Sequence, residues 1–246
     1  MSIETHMFVS GGFYITRSIQ RPDYSSPRLL PKRVVTASPC ITKFLPDTWC
    51  IEWTNDSTSE RIETAAYFGL DENEMYSLIS EMTVAFDSSF GWPNAIRDLK
   101  FARSIANFFL ADTPDIRILE LGLQSEYVRA FCQDAEPEQH AGFAPVGRQG
   151  IHDAILRMQP VARTGVILGF EPLLSNHTLS CSWLCNGLVT AIAEHLEIFP
   201  NANGLIDTFE EAQAAVSYIG RDEVRAEPGL WLPWLVIDHT KLAKIG

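Results

Sequence analysis

Apolar spacing divides the chain into a strand- and loop-rich opening, residues 1–50, and a longer stretch, 51–246, in which helical and strand periods alternate. In the opening, Phe8 to Ser10 and Phe13 to Thr16 flank Gly11-Gly12 as the arms of a hairpin. Pro22, Pro27, Pro31 and Pro39 punctuate an irregular wrap around a short strand at Arg33 to Thr36. Trp49 to Trp53 alternates cleanly, which puts Trp49, Ile51 and Trp53 on one face of a strand and Cys50 and Glu52 on the other.

Three helices follow, over Ser59 to Phe68, Glu72 to Phe86 and Ala95 to Leu110. Gly69 suits the left-handed end of the first, and Asp71 with Glu74 has capping-box spacing at the start of the second. On that second helix Met75, Leu78, Ile79, Met82 and Phe86 form an inward stripe, leaving Glu72, Glu74 and Glu81 outward. The run Ile116 to Leu123 reads as an interior strand, then a Glu-, Pro- and Gly-rich loop, a helix over Ile151 to Met158 and a second apolar strand, Val166 to Leu173. Residues 181–197 are apolar enough for a central helix. Asp207 and Glu210 open a last helix that Gly220 ends, with Phe209, Ala212, Val216 and Ile219 inward. Leu230 to Asp238 closes the chain as a strand that Pro233 demotes to an edge or a bulge.

These elements predict an α+β fold: a mixed, partly antiparallel sheet packed with about six helices around one core, the whole of 1–246 forming a single domain. With 46% apolar and 20% charged residues, the composition is that of an ordinary globular protein. Neither a signal-peptide pattern at the start nor a membrane-spanning apolar window is found, so the expected location is the cytoplasm and no membrane partner is expected. The five cysteines, odd in number and scattered, suggest reduced thiols rather than a disulfide framework.

The net charge of −12 argues against nucleic acid as a partner, because neutralising phosphates requires clustered Lys and Arg. Its distribution is more informative. Residues 1–51 carry a net +3, residues 52–87 a net −8 with Arg61 as the one basic side chain, and residues 88–246 a net −7. Two-thirds of the net charge therefore comes from one 36-residue stretch, a field that can steer a basic partner to one face. Glu60, Glu63, Glu72 and Glu74 are the residues expected to make that partner contact; a solvated surface kept acidic for solubility is the plainer alternative.

Four constellations could carry chemistry instead. Glu52, Glu120 and Glu171, each in a strand, with Asp238 at a strand end, would support acid/base or metal chemistry if register brought them to one face; otherwise each marks a solvent side. No histidine is tied to the set by sequence. His177, Cys181 and Cys185 recur every fourth residue, which on a continuous helix would align them as zinc ligands; a fourth ligand is missing, 176–180 reads as loop, and two small thiols on the buried side of an apolar helix are the favoured account. Cys181 near a helix N-terminus, approached by His152 or His195, would be a nucleophile, and Gly147 to Gly150 an anion nest. Trp183, Trp231 and Trp234 would anchor an interface if exposed and fill the core if not. No cofactor is implied.

The C-terminal half, with Leu-Gly-Phe-Glu at 168–171, Ser-Trp-Leu-Cys-Asn-Gly-Leu at 182–188, Asn-Gly-Leu-Ile at 203–206 and Leu-Trp-Leu-Pro-Trp-Leu at 230–235, resembles bacterial proteins of uncharacterised type. In general make-up it is similar to the immunity proteins that neutralise toxins exchanged between bacteria. That resemblance implies a cytoplasmic, non-enzymatic inhibitor that binds one cognate protein toxin, often through an acidic surface. A hydrolytic or metal-dependent enzyme using the strand carboxylates and a structural subunit of a larger assembly are the alternatives.

Overall fold

Residues 8–17 form one strand, not a hairpin. Gly11-Gly12 supplies an extra residue inside it, with Gly12 at φ 94°, so that Ser10 pairs with Gly122 and Phe13 with Glu120. The two glycines make a bulge because Tyr14 to Arg17 continue on the same partner strand as Phe8 to Ser10. The computed structural model describes residues 7–23, 28–45, 58–84, 90–91, 95–134, 151–176, 178–185 and 187–240. The expected strand at Trp49 to Trp53, Glu52 included, lies outside them.

Nine strands are described: β1 (Phe8–Arg17), β2 (Ile19–Gln20), β3 (Arg33–Val34), β4 (Phe90–Gly91), β5 (Ala95–Ile96), β6 (Ile116–Gln124), β7 (Val166–Asn176), β8 (Thr178–Ser182) and β9 (Leu230–Asp238). Seven form one sheet in the order β4-β5-β1-β6-β9-β7-β8, every neighbouring pair antiparallel, and β2 pairs with β3. The seven α-helices among the described residues are α1 (Thr58–Phe68), α2 (Glu72–Val84), α3 (Leu99–Phe109), α4 (Val128–Asp134), α5 (Ile151–Leu156), α6 (Leu188–Leu196) and α7 (Phe209–Ile219). The fold is α+β, and no described helix is long and apolar enough to cross a membrane.

Register assigns side chains to two faces. Phe8, Ser10, Phe13, Ile118, Glu120 and Ile237 share a front face; Val9, Tyr14, Leu119, Leu121, Trp234 and Val236 share the back. Front-face residues join two apolar clusters, one with α1, α2 and α3 and one with α6 and α7, while the back face packs Phe131 of α4 and Ile151 and Ile155 of α5. The three tryptophans named above are all buried: Trp183 and Trp234 completely, Trp231 nearly so. They complete the core and offer no assembly surface.

Several expectations need correction. Ala95 and Ile96 are strand, and the helix begins after Asp98, whose carboxylate caps the Lys100 N–H at 2.7 Å. Residues 128–134 are helical rather than loop. The apolar run 181–197 splits: its first residues end β8, and α6 starts only at Leu188, after Gly187 at φ 74°. Periodicity does not separate strand from helix where nearly every residue is apolar. The last helix is capped by Thr208, whose Oγ1 accepts from the Glu211 N–H, one residue beyond the expected Asp207. Pro233 lies in a central strand, opposite Pro172 of β7. This is tolerated because pairing of β9 with β6 has ended by Leu235, so no ladder bond from residue 233 is forfeited on that side.

Candidate functional site: an apolar cleft and two buried carboxylates

The α1–α2 pair forms as its sequence dictates. Gly69 turns the chain at φ 73°, Glu74 Oε2 accepts from the Asp71 N–H and Asp71 Oδ1 from the Glu74 N–H, both at 2.8 Å, closing the expected capping box. Met75, Leu78, Ile79 and Met82 are buried against the sheet side, with Phe68 from α1. Burying each such side chain contributes about 1.5–3 kcal/mol, enough to dock the pair firmly.

The outer side of the pair is not closed. A cleft of about 340 Å³ opens between α1 and α2, lined by Ile62, Ala65, Ala66, Leu70, Glu72, Met75, Tyr76 and Ile79. Ile62 and Tyr76 are 60% and 51% exposed, so apolar surface reaches its lips. Of the four predicted contact residues, Glu72 lines the cleft itself. Glu63 is exposed on α1 and its carboxylate is 3.5 Å from Lys43 Nζ, which offsets part of its charge. Glu74 is exposed but engaged in the capping box. Glu60 falls within α1, and its side chain lies outside the described residues.

The described strand carboxylates, Glu120, Glu171 and Asp238, do not converge. Glu120 pairs with Ile237 and faces front; Glu171 pairs with Trp234 and faces back. Asp238 shares the back face with Glu171, but four residues along β9 separate them, roughly 13 Å. Arg117 Nη1 at 2.7 Å holds Asp238 instead.

Each glutamate is nonetheless buried with a full set of donors. Ser10 Oγ donates to Glu120 Oε1 at 2.6 Å, the Ala162 N–H points between both oxygens at 3.1 and 3.0 Å, and His239 Nε2 lies 2.8 Å from Oε2. A histidine is therefore tied to Glu120. Ser10 and His239 meet on the carboxylate rather than on each other, so the imidazole does not accept the hydroxyl proton as it does in a serine triad. His239 Nδ1 has no partner among the described residues, and Phe13 stacks edge-on at 5.5 Å from the ring. The arrangement is a pin between β1, β6, β9 and the 160–162 segment.

Glu171 forms a second pin on the back face. Thr36 Oγ1 and Ser182 Oγ donate to Oε1 at 2.5 and 2.6 Å, and the Ala37 N–H to Oε2 at 2.8 Å. The hydroxyls are themselves fed by backbone donors, Ser38 N–H to Thr36 and Leu184 N–H to Ser182. Complete burial still pushes the Glu171 carboxyl up to about 7 against these bonds.

The zinc and nucleophile expectations for Cys181 are corrected by β8. Cys181 is in a strand and Cys185 in the turn after it, so the four-residue helical stripe does not exist; His177 lies outside the described residues. Among the described residues no three His, Cys, Asp or Glu side chains are grouped to hold a metal. Desolvation pushes the Cys181 thiol up to about 12, the opposite of activation. His195 is exposed near the end of α6, its Nδ1 2.8 Å from the Ala191 carbonyl; the side chain of His152 and residues 147–150 lie outside the described residues. Comparison of the chain with protein-family models, with curated proteins and with solved structures finds no match.

Proposed function

We propose that this chain is a protein-binding factor of the immunity type, neutralising a cognate toxin by direct contact, and that the partner places a basic amphipathic segment in the α1–α2 cleft. The observation that carries the reading is the cleft itself: an apolar trough with Ile62 and Tyr76 exposed at its lips, lined by Glu72 and set in the stretch that holds two-thirds of the net charge. An apolar floor with the Glu72 carboxylate in its lining matches a segment carrying apolar side chains on one face and Lys or Arg on the other. Long-range attraction to the carboxylates would raise the encounter rate, and burial of Ile62 and Tyr76 would slow dissociation. No chemistry by the chain is required.

The test is affinity capture from the native host, including expression of neighbouring genes, with the wild-type chain and with a variant carrying Glu60→Lys, Glu63→Lys, Glu72→Lys and Glu74→Gln. Gln at 74 removes the charge while keeping the capping box. A stoichiometric basic partner that the wild type retains at low salt, and that the variant releases, is expected. A partner bound equally by both, with the same salt dependence, or capture of no basic protein, would overturn the proposal.

A further inference from the structure

Cys40 and Cys181 are 141 residues apart in sequence, yet their sulfurs lie 3.5 Å from each other. The approach is built by the fold. The Ile41 and Thr42 N–H groups both donate to the Ser38 carbonyl, at 3.2 and 3.1 Å, and the Cys40 N–H to Ser38 Oγ at 3.3 Å, so residues 38–42 form a tight turn that presents Cys40. Thr36 and Ala37, immediately before that turn, are gripped by the buried Glu171 carboxylate, and Glu171 is also bonded to Ser182, the neighbour of Cys181. One buried group thus holds both cysteine-bearing segments. Cys40 is exposed, Cys181 partly exposed on edge strand β8, and Cys185 buried.

We propose that Cys40 and Cys181 are a reversible dithiol–disulfide pair that, on exchange with a low-molecular-weight disulfide such as oxidised glutathione, ties the 38–42 turn to the edge of the sheet. The separation must fall from 3.5 Å to the S–S bond length of about 2.05 Å, a movement within reach of side-chain rotation. Exposed Cys40 reacts first: its thiolate attacks one glutathione sulfur, the glutathione S–S bond breaks, and one glutathione thiolate leaves. Cys181 then loses its proton to solvent and attacks Cys40 Sγ, expelling the second glutathione. Two protein thiols are oxidised, one small disulfide is reduced to two thiols, and the two protons pass through solvent to the departing thiolates. Burial and the neighbouring sulfur push the Cys181 thiol up, which makes the second step the slower one at neutral pH. Reduction by excess glutathione reverses both steps.

The experiment equilibrates the full-length chain in mixtures of reduced and oxidised glutathione, quenches with acid, alkylates, and maps linked peptides by mass spectrometry without reduction. A single two-electron transition is expected, with the Cys40–Cys181 peptide predominating over any link to Cys50, Cys132 or Cys185. Cys181→Ser should accumulate one glutathione on Cys40, and Cys40→Ser should lose both the link and the adduct at that position. In the oxidised wild type, amide exchange in residues 38–42 should slow, and it should be unchanged in Cys181→Ser. A predominant link to another cysteine, or a wild-type chain that stops at the glutathione adduct on Cys40, would overturn the proposal. The wild-type map decides this without either variant.

Discussion

Replacing Glu171 by Gln isolates the energetic cost of an ionisable group under the sheet. Glu171 is completely buried and its carboxyl rises from 4.5 to about 7, desolvation outweighing the bonds from Ser182, Thr36 and Ala37. Because the folded value lies above the unfolded one, the native state holds the proton more tightly. The associated stability is fully present below pH 4.5 and is lost as pH rises through about 7. The shift corresponds to about 3 kcal/mol between those limits. Gln keeps the shape: its carbonyl can accept the Ala37 N–H and its amide can donate to the two hydroxyl oxygens. Both hydroxyls already accept a backbone N–H, however, so their own hydrogens would lose the carboxylate they now point to. That loss makes the variant about 1–2 kcal/mol less stable at acid pH. Between pH 4.5 and 7.5 the difference, variant minus wild type, should therefore climb by about 3 kcal/mol and reverse in sign. For a chain of this size that is a relative movement in melting temperature of roughly 6–12 °C. Denaturant unfolding followed by tryptophan fluorescence across that pH range measures it, and taking the difference cancels other titrating groups. A pH-independent difference would refute the argument that burial dominates the environment of Glu171.

Two further perturbations probe the scaffold. Glu120→Ala strands the Ser10 hydroxyl, the Ala162 N–H and His239 Nε2 in a buried site and should cost about 3–5 kcal/mol in denaturant unfolding, with Glu120→Gln costing distinctly less; equal losses would mean that the bonds contribute little. Gly169→Ala places a Cβ 2.6 Å from the Ile206 carbonyl oxygen at φ 137°, so its melting temperature should fall, by an amount corresponding to about 2 kcal/mol or more, whereas Gly69→Ala, with open space around it, should fall less.

What was legible in the sequence was what short-range chemistry decides. The α1–α2 hairpin could be read because Gly69 and the Asp71–Glu74 box lie within four residues of the turn they make, and its inward stripe has one clear period. The interior strands β6 and β7 were legible for the same reason. Gly11-Gly12 was not, since a bulge and a hairpin use the same residues and differ only in whether the chain returns to the same neighbour. The split of 181–197 depended on β8 finding β7, and the central place of Pro233 on where β6 ends. The candidate site divides likewise. The acid-rich stretch around the cleft could be read from local charge, but four of the partners of Glu120 and Glu171, namely Ser10, His239, Thr36 and Ala37, are 110 to 135 residues distant, and only register brings them together.

The bulge in β1 has a consequence for how the gene can vary. Upstream of Gly11 the residues facing front are even-numbered, Phe8 and Ser10; downstream they are odd-numbered, Phe13 and Ile15. The two glycines act as a frame change in the inside–outside code of a single strand. Losing one of them would shorten the chain by a residue and exchange front for back across one half of β1, taking either Ser10 away from Glu120 or Phe13 away from His239. Substitutions along this strand are graded in their effect, but a one-codon deletion here is an inversion.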